Sequence, residues 1–418
     1  MSSSDDFDAL GPATRGVLAG RRAGWTGTPE HPGAVVNPAV WRASTHLYPD
    51  MAALRSAPAN EDGNFYYGRR GGPTQWALAE ALTQVEPGAA GTVLYPSGVA
   101  AIAGVLLTVL RPGDVLLMTD NAYEPSRAMG RGLLRDFGVE TRWFDPTDLA
   151  AFEAACCERT RCVLLESPGS LTMEVQDVPA LAAAAKARGI VSVLDNTWAS
   201  ALGFAALAHG VDISVMSLTK HVSGHSDCMM GSASAGPEWY GKLRVRAQGL
   251  GNVVSPDDAS LMLRGLRTMK LRLEAETASA LAIAQWLSGR AEVARVLCPM
   301  LAGSPGHDLW ARDFSGGCGL FSFVLKGGTS AARDTLIDAL SLFGIGYSWG
   351  GFESLATPVD PASIRTASSW PLPGMEPADC FGVRLSIGLE DTADLIADLE
   401  RGLAAWAAPG KAILGGQS

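Results

Sequence analysis

Between Thr92 and Ala235 the chain alternates short apolar runs with longer helical stretches, and few folds accommodate that alternation. The runs Asp114–Met118, Cys162–Glu166, Ile190–Asp195 and Asp212–Ser217 are rich in Val, Ile or Leu and are bounded by Gly, Pro or charged residues. Runs of this length without polar alternation suit strands buried on both faces, as in a mainly parallel sheet. The segments Glu124–Asp136, Asp148–Cys157 and Pro179–Arg188 read as crossover helices. The expectation is an α/β unit with helices on both faces of the sheet.

Beyond Pro256 the pattern changes. Asp257 to Gly289 carries Leu and Ala at helical spacing and reads as one long helix, with Asp257-Asp258 as its N-cap and first-turn acids. Strands are expected at Leu320–Leu325 and Gly382–Ile387, and helices near Ala331–Phe343 and Asp391–Ala405. The resulting division is an N-terminal arm (1–71), a large domain (72–267) and a smaller α+β domain (268–418). The arm has no clear periodicity and many Gly, Pro and Asn, as expected of a segment packed on something else, such as a neighbouring subunit.

Composition excludes several classes. A net charge of −10 over 418 residues argues against a nucleic-acid or anionic-membrane partner. Val99–Leu110, the most apolar stretch, is too short to cross a bilayer. Met1–Asp8 is polar and acidic and does not read as a secretory signal. Seven cysteines without metal-ligand spacing fit a reducing cytoplasm. His221 and His225 lack the acidic partners of a zinc motif, so no metal is expected.

The residues that carry chemistry gather at strand ends. Lys220 follows the run Asp212–Ser217, and Asp195 ends the run Ile190–Asp195. Both therefore fall on the carboxyl edge of the sheet, where open α/β sheets bind ligands. A desolvated lysine there can act as nucleophile or base. Pyridoxal phosphate requires this combination, a lysine for the Schiff base and an acid for the pyridine nitrogen. In Tyr95-Pro96-Ser97-Gly98-Val99 a strand end turns into an apolar helix whose free amides make an anion site. Ser217 and Thr219 offer hydroxyls beside it. Tyr123 can stack on a flat ring, and Arg69 and Arg384 can grip a phosphate or carboxylate with two hydrogen bonds.

The combination resembles the Cys/Met-metabolism family of pyridoxal-phosphate enzymes, fold type I, and within it the bacterial cystathionine β-lyase branch. The resemblance runs from about Val36 to Ala405. Its carriers are Phe65–Gly71, Asn121–Ser126, Glu166–Ser170, Asp195–Ala199, Thr219–His221 with Gly224–Asp227, Tyr347–Gly351 and Arg384–Glu390. It implies that Lys220 holds the cofactor, that Asp195 pairs with the ring nitrogen and that Tyr123 stacks on the ring. By the same resemblance the phosphate is held by the Gly98 and Val99 amides, by Ser217 and Thr219, and by Tyr67 and Arg69 from a second subunit. Arg384 and Ser348 form the α-carboxylate site, Tyr67 and Trp349 border the substrate, and the assembly is a catalytic dimer paired into a tetramer.

The implied reaction is β-elimination of L-cystathionine to homocysteine, pyruvate and ammonia. A β-lyase acting on another S-substituted cysteine or its sulfoxide is an alternative, as is a γ-acting relative. Bulky Trp349 favours β-elimination, because γ-enzymes carry a smaller or acidic residue there. Two departures from the family pattern are Tyr95 where phenylalanine is expected and Gly72-Pro73 after Arg69-Arg70-Gly71.

Overall fold

The computed structural model describes residues 10–57, 63–372 and 374–407. The outer ends of the arm and of the C-terminal unit, residues 1–9 and 408–418, lie outside the described residues. Seven strands form the larger sheet: β1 (Gly91–Tyr95), β2 (Val115–Thr119), β3 (Glu140–Phe144), β4 (Thr160–Glu166), β5 (Val191–Asp195), β6 (Ile213–Ser217) and β7 (Gly231–Ala235). Their order is β1-β7-β6-β5-β4-β2-β3. β7 runs antiparallel to both of its neighbours, while the pairs from β6 through β3 are parallel.

Each parallel strand alternates its apolar side chains between two cores. Leu116 and Met118 of β2 enter the layer beneath the helices Gly98–Val109 and Pro237–Gly249. Val115 and Leu117 enter the other layer, which contains Leu181 of the helix Val178–Ala187 and continues into the C-terminal unit. Burial on both faces explains why these strands are continuously apolar. The sequence reading gave no strand at β3 or β7. β3 is a charged edge strand, and β7 reads Gly-Ser-Ala-Ser-Ala, without a β-branched residue. β7 must be small at its start: a Cβ on Gly231 would lie 2.2 Å from the Ser97 carbonyl oxygen.

The helix Pro256–Ser288 carries the chain into a second sheet. Its N-cap is Ser255, which accepts hydrogen bonds from the Asp257 and Asp258 amides. This corrects the reading of the two aspartates as the cap: they occupy the first turn, and Asp257 pairs with Arg42 of the arm. The second sheet consists of β8 (Val293–Leu297), β9 (Leu320–Leu325), β10 (Gly344–Ile345), β11 (Leu355–Val359) and β12 (Gly382–Ser386). Its order is β10-β11-β12-β9-β8. The helix expected to reach Phe343 ends at Asp338. Asp398, on the helix Thr392–Ala407, accepts the amides of Ser341 and Leu342 at 2.9 and 2.7 Å and draws the chain out of helical geometry.

Part of the arm packs on its own chain. Helix Pro12–Leu18 lies against the helix Pro73–Val85, and Arg267 donates to the Gly16 and Val17 carbonyls. Further along, Leu47 is 92% exposed and Val36 63%.

One buried carboxylate ties the two sheets together. Asp120, immediately after β2, accepts from Arg127 at 2.9 Å and from the amides of Thr366, Ala367 and Ser368, the last two at 2.8 Å. The Thr366 and Ser368 hydroxyls donate to it as well. Burial pushes the Asp120 carboxyl up, but the donors from Thr366, Ala367 and Ser368 together outweigh burial and hold it well below the usual range. A depressed carboxylate stabilises the fold above its ordinary pKa of about 4 and loses that contribution as the pH falls below it. Asp120→Ala should cost about 3 kcal/mol or more in chemical denaturation, because Arg127 and three amides lose a buried partner. The difference from the parent protein should shrink in acid; equal denaturation midpoints at neutral pH would remove Asp120 from this role.

Candidate active site

The carboxyl ends of the parallel strands open into a cavity of about 320 Å³. Its lining includes Ser97, Gly98, Val99, Tyr123, Glu166, Asp195, Thr197, Ser217, Thr219, Lys220, Ser348 and Trp349. Nine of the twelve site residues expected from sequence meet here. Tyr67 and Arg69 do not line it. Tyr67 is 46% exposed, with the Arg69 guanidinium 5.7 Å from its ring, and Arg69 donates to the Gln248 carbonyl at 2.9 Å. Arg384 stands just behind the wall on β12, close enough for its charge to act on both Lys220 and Tyr123.

Lys220 follows β6 in a tight turn, and its Nζ donates to the Ser348 hydroxyl at 2.6 Å. The Trp349 ring centroid lies 5.3 Å from the same nitrogen. Burial and the Arg384 charge pull the Lys220 amine down to about 8, against the opposing pull of Asp195. Ser348 has φ +91°, a left-handed conformation that costs a non-glycine residue energy and is typical of functional loops.

Asp195 and Glu166 end adjacent strands in register. Burial raises both carboxyls, and the like charge of Asp195 raises Glu166 further. Asp195 is compensated by hydrogen bonds from the Thr197 amide and hydroxyl and by the charge of Lys220, so it is the better anion of the two. Glu166 is pushed well up and accepts the Tyr123 amide at 2.6 Å. Asp195 makes no ion pair among the described residues, and neither does Arg384.

The turn that opens the helix Gly98–Val109 is built by close approach. A Cβ on Gly98 would lie 2.7 Å from Ser217 Cβ, so glycine lets the helix start touch the end of β6. Ser97 caps this helix by accepting the Ala100 amide, and its carbonyl takes the Ala101 amide. The Gly98 and Val99 amides are left without an acceptor among the described residues, as the first turn of a helix dictates. Thr219 behaves differently from the expectation of a free donor: its hydroxyl donates to the Met230 carbonyl and accepts the Met230 amide.

Sequence reasoning assigned no role to Glu166, Thr197, Met229 or Leu320, all of which line the cavity. Glu166 was findable, since it ends a predicted strand beside Asp195. Met229 and Leu320 carry no local signal, because their placement depends on how the two sheets meet.

Fold and cavity define a fold type I pyridoxal-phosphate enzyme. Residues 25–404 match the family described as Cys/Met metabolism PLP-dependent enzyme, and the chain belongs to that family. It is similar to a Rhizobium johnstonii protein provisionally named cystathionine beta-lyase, 46% identical over 377 residues that cover 89% of this chain and 92% of the relative. Cystathionine beta-lyase MetC of Escherichia coli is 43% identical over 376 residues, covering 88% and 93%. Among solved structures, cystathionine gamma synthase from Xanthomonas oryzae pv. oryzae in complex with cystathionine superposes with a TM-score of 0.84. It is 35% identical and covers 95% of this chain and 99% of that one.

The cavity fits the family's cofactor. It holds an amine of lowered basicity, a buried carboxylate without an ion-pair partner, and two free helix-start amides beside the Ser217 hydroxyl. In cofactor-free protein, Lys220 should react with an amine-selective reagent with a rate midpoint near pH 8, against about 10.4 for an ordinary lysine. Arg384→Leu removes a repelling charge and should move that midpoint upward; a midpoint unchanged by the substitution would contradict the coupling.

Proposed function

We propose that this pyridoxal-phosphate enzyme is a carbon–sulfur lyase that cleaves L-cystathionine by β-elimination. The observation that carries the reading is the convergence of Lys220, Asp195, Tyr123 and Trp349 on one cavity, with Arg384, which makes no ion pair among the described residues, behind it. The relatives named cystathionine beta-lyase support the choice of substrate. With one water consumed, the balance is L-cystathionine to homocysteine, pyruvate and ammonia.

In this reading Arg384 and the Ser348 hydroxyl hold the substrate α-carboxylate, which fixes the direction of the Cα–H bond. The cofactor would be held by Tyr123 at its ring, by Asp195 at its ring nitrogen, and at its phosphate by the Gly98 and Val99 amides with Ser217, joined by Thr219 once its hydroxyl leaves the Met230 carbonyl. Pyridoxal phosphate, when bound, supplies the electron sink for the charge left by removal of the Cα proton. Lys220 is suited to remove that proton, because lowering the amine to about 8 makes a usable minority of it neutral near physiological pH, far more than for an ordinary lysine. Lys220 or Tyr123 then delivers a proton to the departing sulfur. Trp349 fills the space beside the substrate Cβ that a γ-eliminating enzyme needs for a second proton transfer.

Tyr67 and Arg69 complete the site of a neighbouring subunit in this proposal. Their exposure outside their own cavity and the bare apolar arm around Val36 and Leu47 support a shared-site dimer, paired into a tetramer. No helix among the described residues is long and apolar enough to cross a membrane, and all seven cysteines are free, which suits a cytoplasmic enzyme.

The similarity to a gamma synthase keeps γ-chemistry as the second reading, and the oxo-acid product separates the two. Purified enzyme with L-cystathionine should release pyruvate; 2-oxobutyrate as the main product would establish γ-cleavage. Lys220→Ala should lower pyruvate release by ~10²–10⁴-fold or more. For the shared site, co-expressed Lys220→Ala and Arg69→Ala chains should regain activity that neither has alone. Such hybrids restore one intact site only if Arg69 acts across the interface, and no recovery would place Arg69 in its own subunit's site.

A further inference from the structure

Behind Lys220 lies a sealed polar cluster that the proposed reaction does not use. His221, the next residue, is 2% exposed, and Glu276 on the helix Pro256–Ser288 is fully buried. His221 Nδ1 stands 3.9 Å from Glu276 Oε2. Neither Glu276 oxygen nor His221 Nδ1 has a hydrogen-bond partner among the described residues, although buried polar atoms are almost always paired. Arg272 completes the cluster, donating to the His221 carbonyl at 2.8 Å and to the Gly265 carbonyl at 2.9 Å.

The imidazole is wedged between the working parts of the site. Its Nε2 lies 3.1 Å from the Trp198 carbonyl oxygen, and Trp198 lines the cavity. Its ring packs on Trp349 with centroids 5.2 Å apart. The backbone beyond Trp349 sits directly on it: Gly350 has φ +78°, and a Cβ there would lie 2.9 Å from Nδ1. His221 therefore touches, or is bonded to, Lys220, Trp198 and the Trp349–Gly350 turn.

Hydrogen-bond chemistry sets the protonation. A carbonyl only accepts, so Nε2 carries the hydrogen, and a neutral ring then presents a bare lone pair at Nδ1. A carboxylate offers that lone pair nothing, whereas a carboxylic acid offers a donor. The alternative, an imidazolium facing a carboxylate, would bury a further cation beside Lys220 and Arg272. We infer that His221 and protonated Glu276 form a neutral dyad that positions Lys220 and the Trp349 wall of the cavity. The electrostatics agree: burial and Arg272 push His221 down to about 3, and burial pushes Glu276 up to about 8, where Glu353 adds to the rise and Arg272 opposes it. The pair thus leaves the charge balance of Lys220 to Asp195 and Arg384.

The test compares Glu276→Gln, a neutral isostere, with Glu276→Leu in the cofactor-loaded enzyme. The Gln variant should retain kcat within about twofold and the parent pH titration of the cofactor's absorption band. The Leu variant should lose about tenfold in kcat, the scale of facing a buried polar atom with hydrocarbon, with KM little changed and that titration displaced. A Leu variant that is merely less heat-stable, with parental kcat and titration, overturns the positioning role. A Gln variant as impaired as Leu overturns the neutral pair in favour of an ion pair. Should the Leu variant fail to fold, infrared spectra still decide. The parent should show, at neutral pH, a protonated-carboxyl carbonyl band that Glu276→Gln removes, and a spectrum in which Glu276→Gln removes carboxylate bands instead refutes the proposal.

Discussion

Placing the amine of Lys220 inside protein is the constraint on which the rest of the site depends. An ammonium there loses solvation, and the neighbouring Arg384 charge adds repulsion, so the amine gives up its proton more readily. Asp195 limits that drift, and its own burial is tolerable because Thr197 donates to it twice. Remove any one of the three and the remaining two no longer balance. Open sheets concentrate such groups for a topological reason. β4, β5 and β6 all end on the same edge, so Glu166, Asp195 and Lys220 reach one cleft from successive strands.

The second sheet contributes the other half of that balance, and it has to be held in place to do so. Ser348, Trp349 and Arg384 all belong to the C-terminal unit, on the loop before β11 and on β12. Asp120 fastens the loop Thr366–Ser368 of that unit to the end of β2, only three residues before Tyr123. Arg365 adds a second tie, pairing with Glu174 beside Thr172. Catalytic geometry tolerates little misplacement, so anchors this close to Tyr123 matter to the chemistry although they touch no substrate.

Much of the fold was legible because the parallel strands are buried on both faces and advertise it as unbroken apolar runs. β2, β4, β5 and β6 were readable for that reason, as were the helix after Ser255 and the strand β9. β3 and β7 escaped for opposite reasons. The first is an exposed edge with alternating charge, and the second uses Ser and Ala because its neighbours come too close for larger side chains. The end of the helix Ser330–Asp338 was also unreadable, since Asp398, far along the chain, terminates it. The strand-end chemistry of Lys220, Asp195 and Gly98 could be read locally. Arg384 needed the family resemblance, because nothing in a strand interior marks one arginine as unpaired.

The same limit explains why the sequence did not bring His221 and Glu276 together. His221 sits beside Lys220, where a histidine passes for part of the loop that follows the strand. Glu276 occupies one turn of a long helix whose other glutamate, Glu274, is an ordinary solvent-facing partner of Lys270. Only the packing shows that one of these two acids points outward while the other is sealed against an imidazole. A helix pattern with a buried acid is locally inconsistent, and local inconsistencies that survive in folded proteins tend to be compensated at functional sites. Here the compensation is a lone pair that needs a donor, which a carboxylic acid supplies without adding charge.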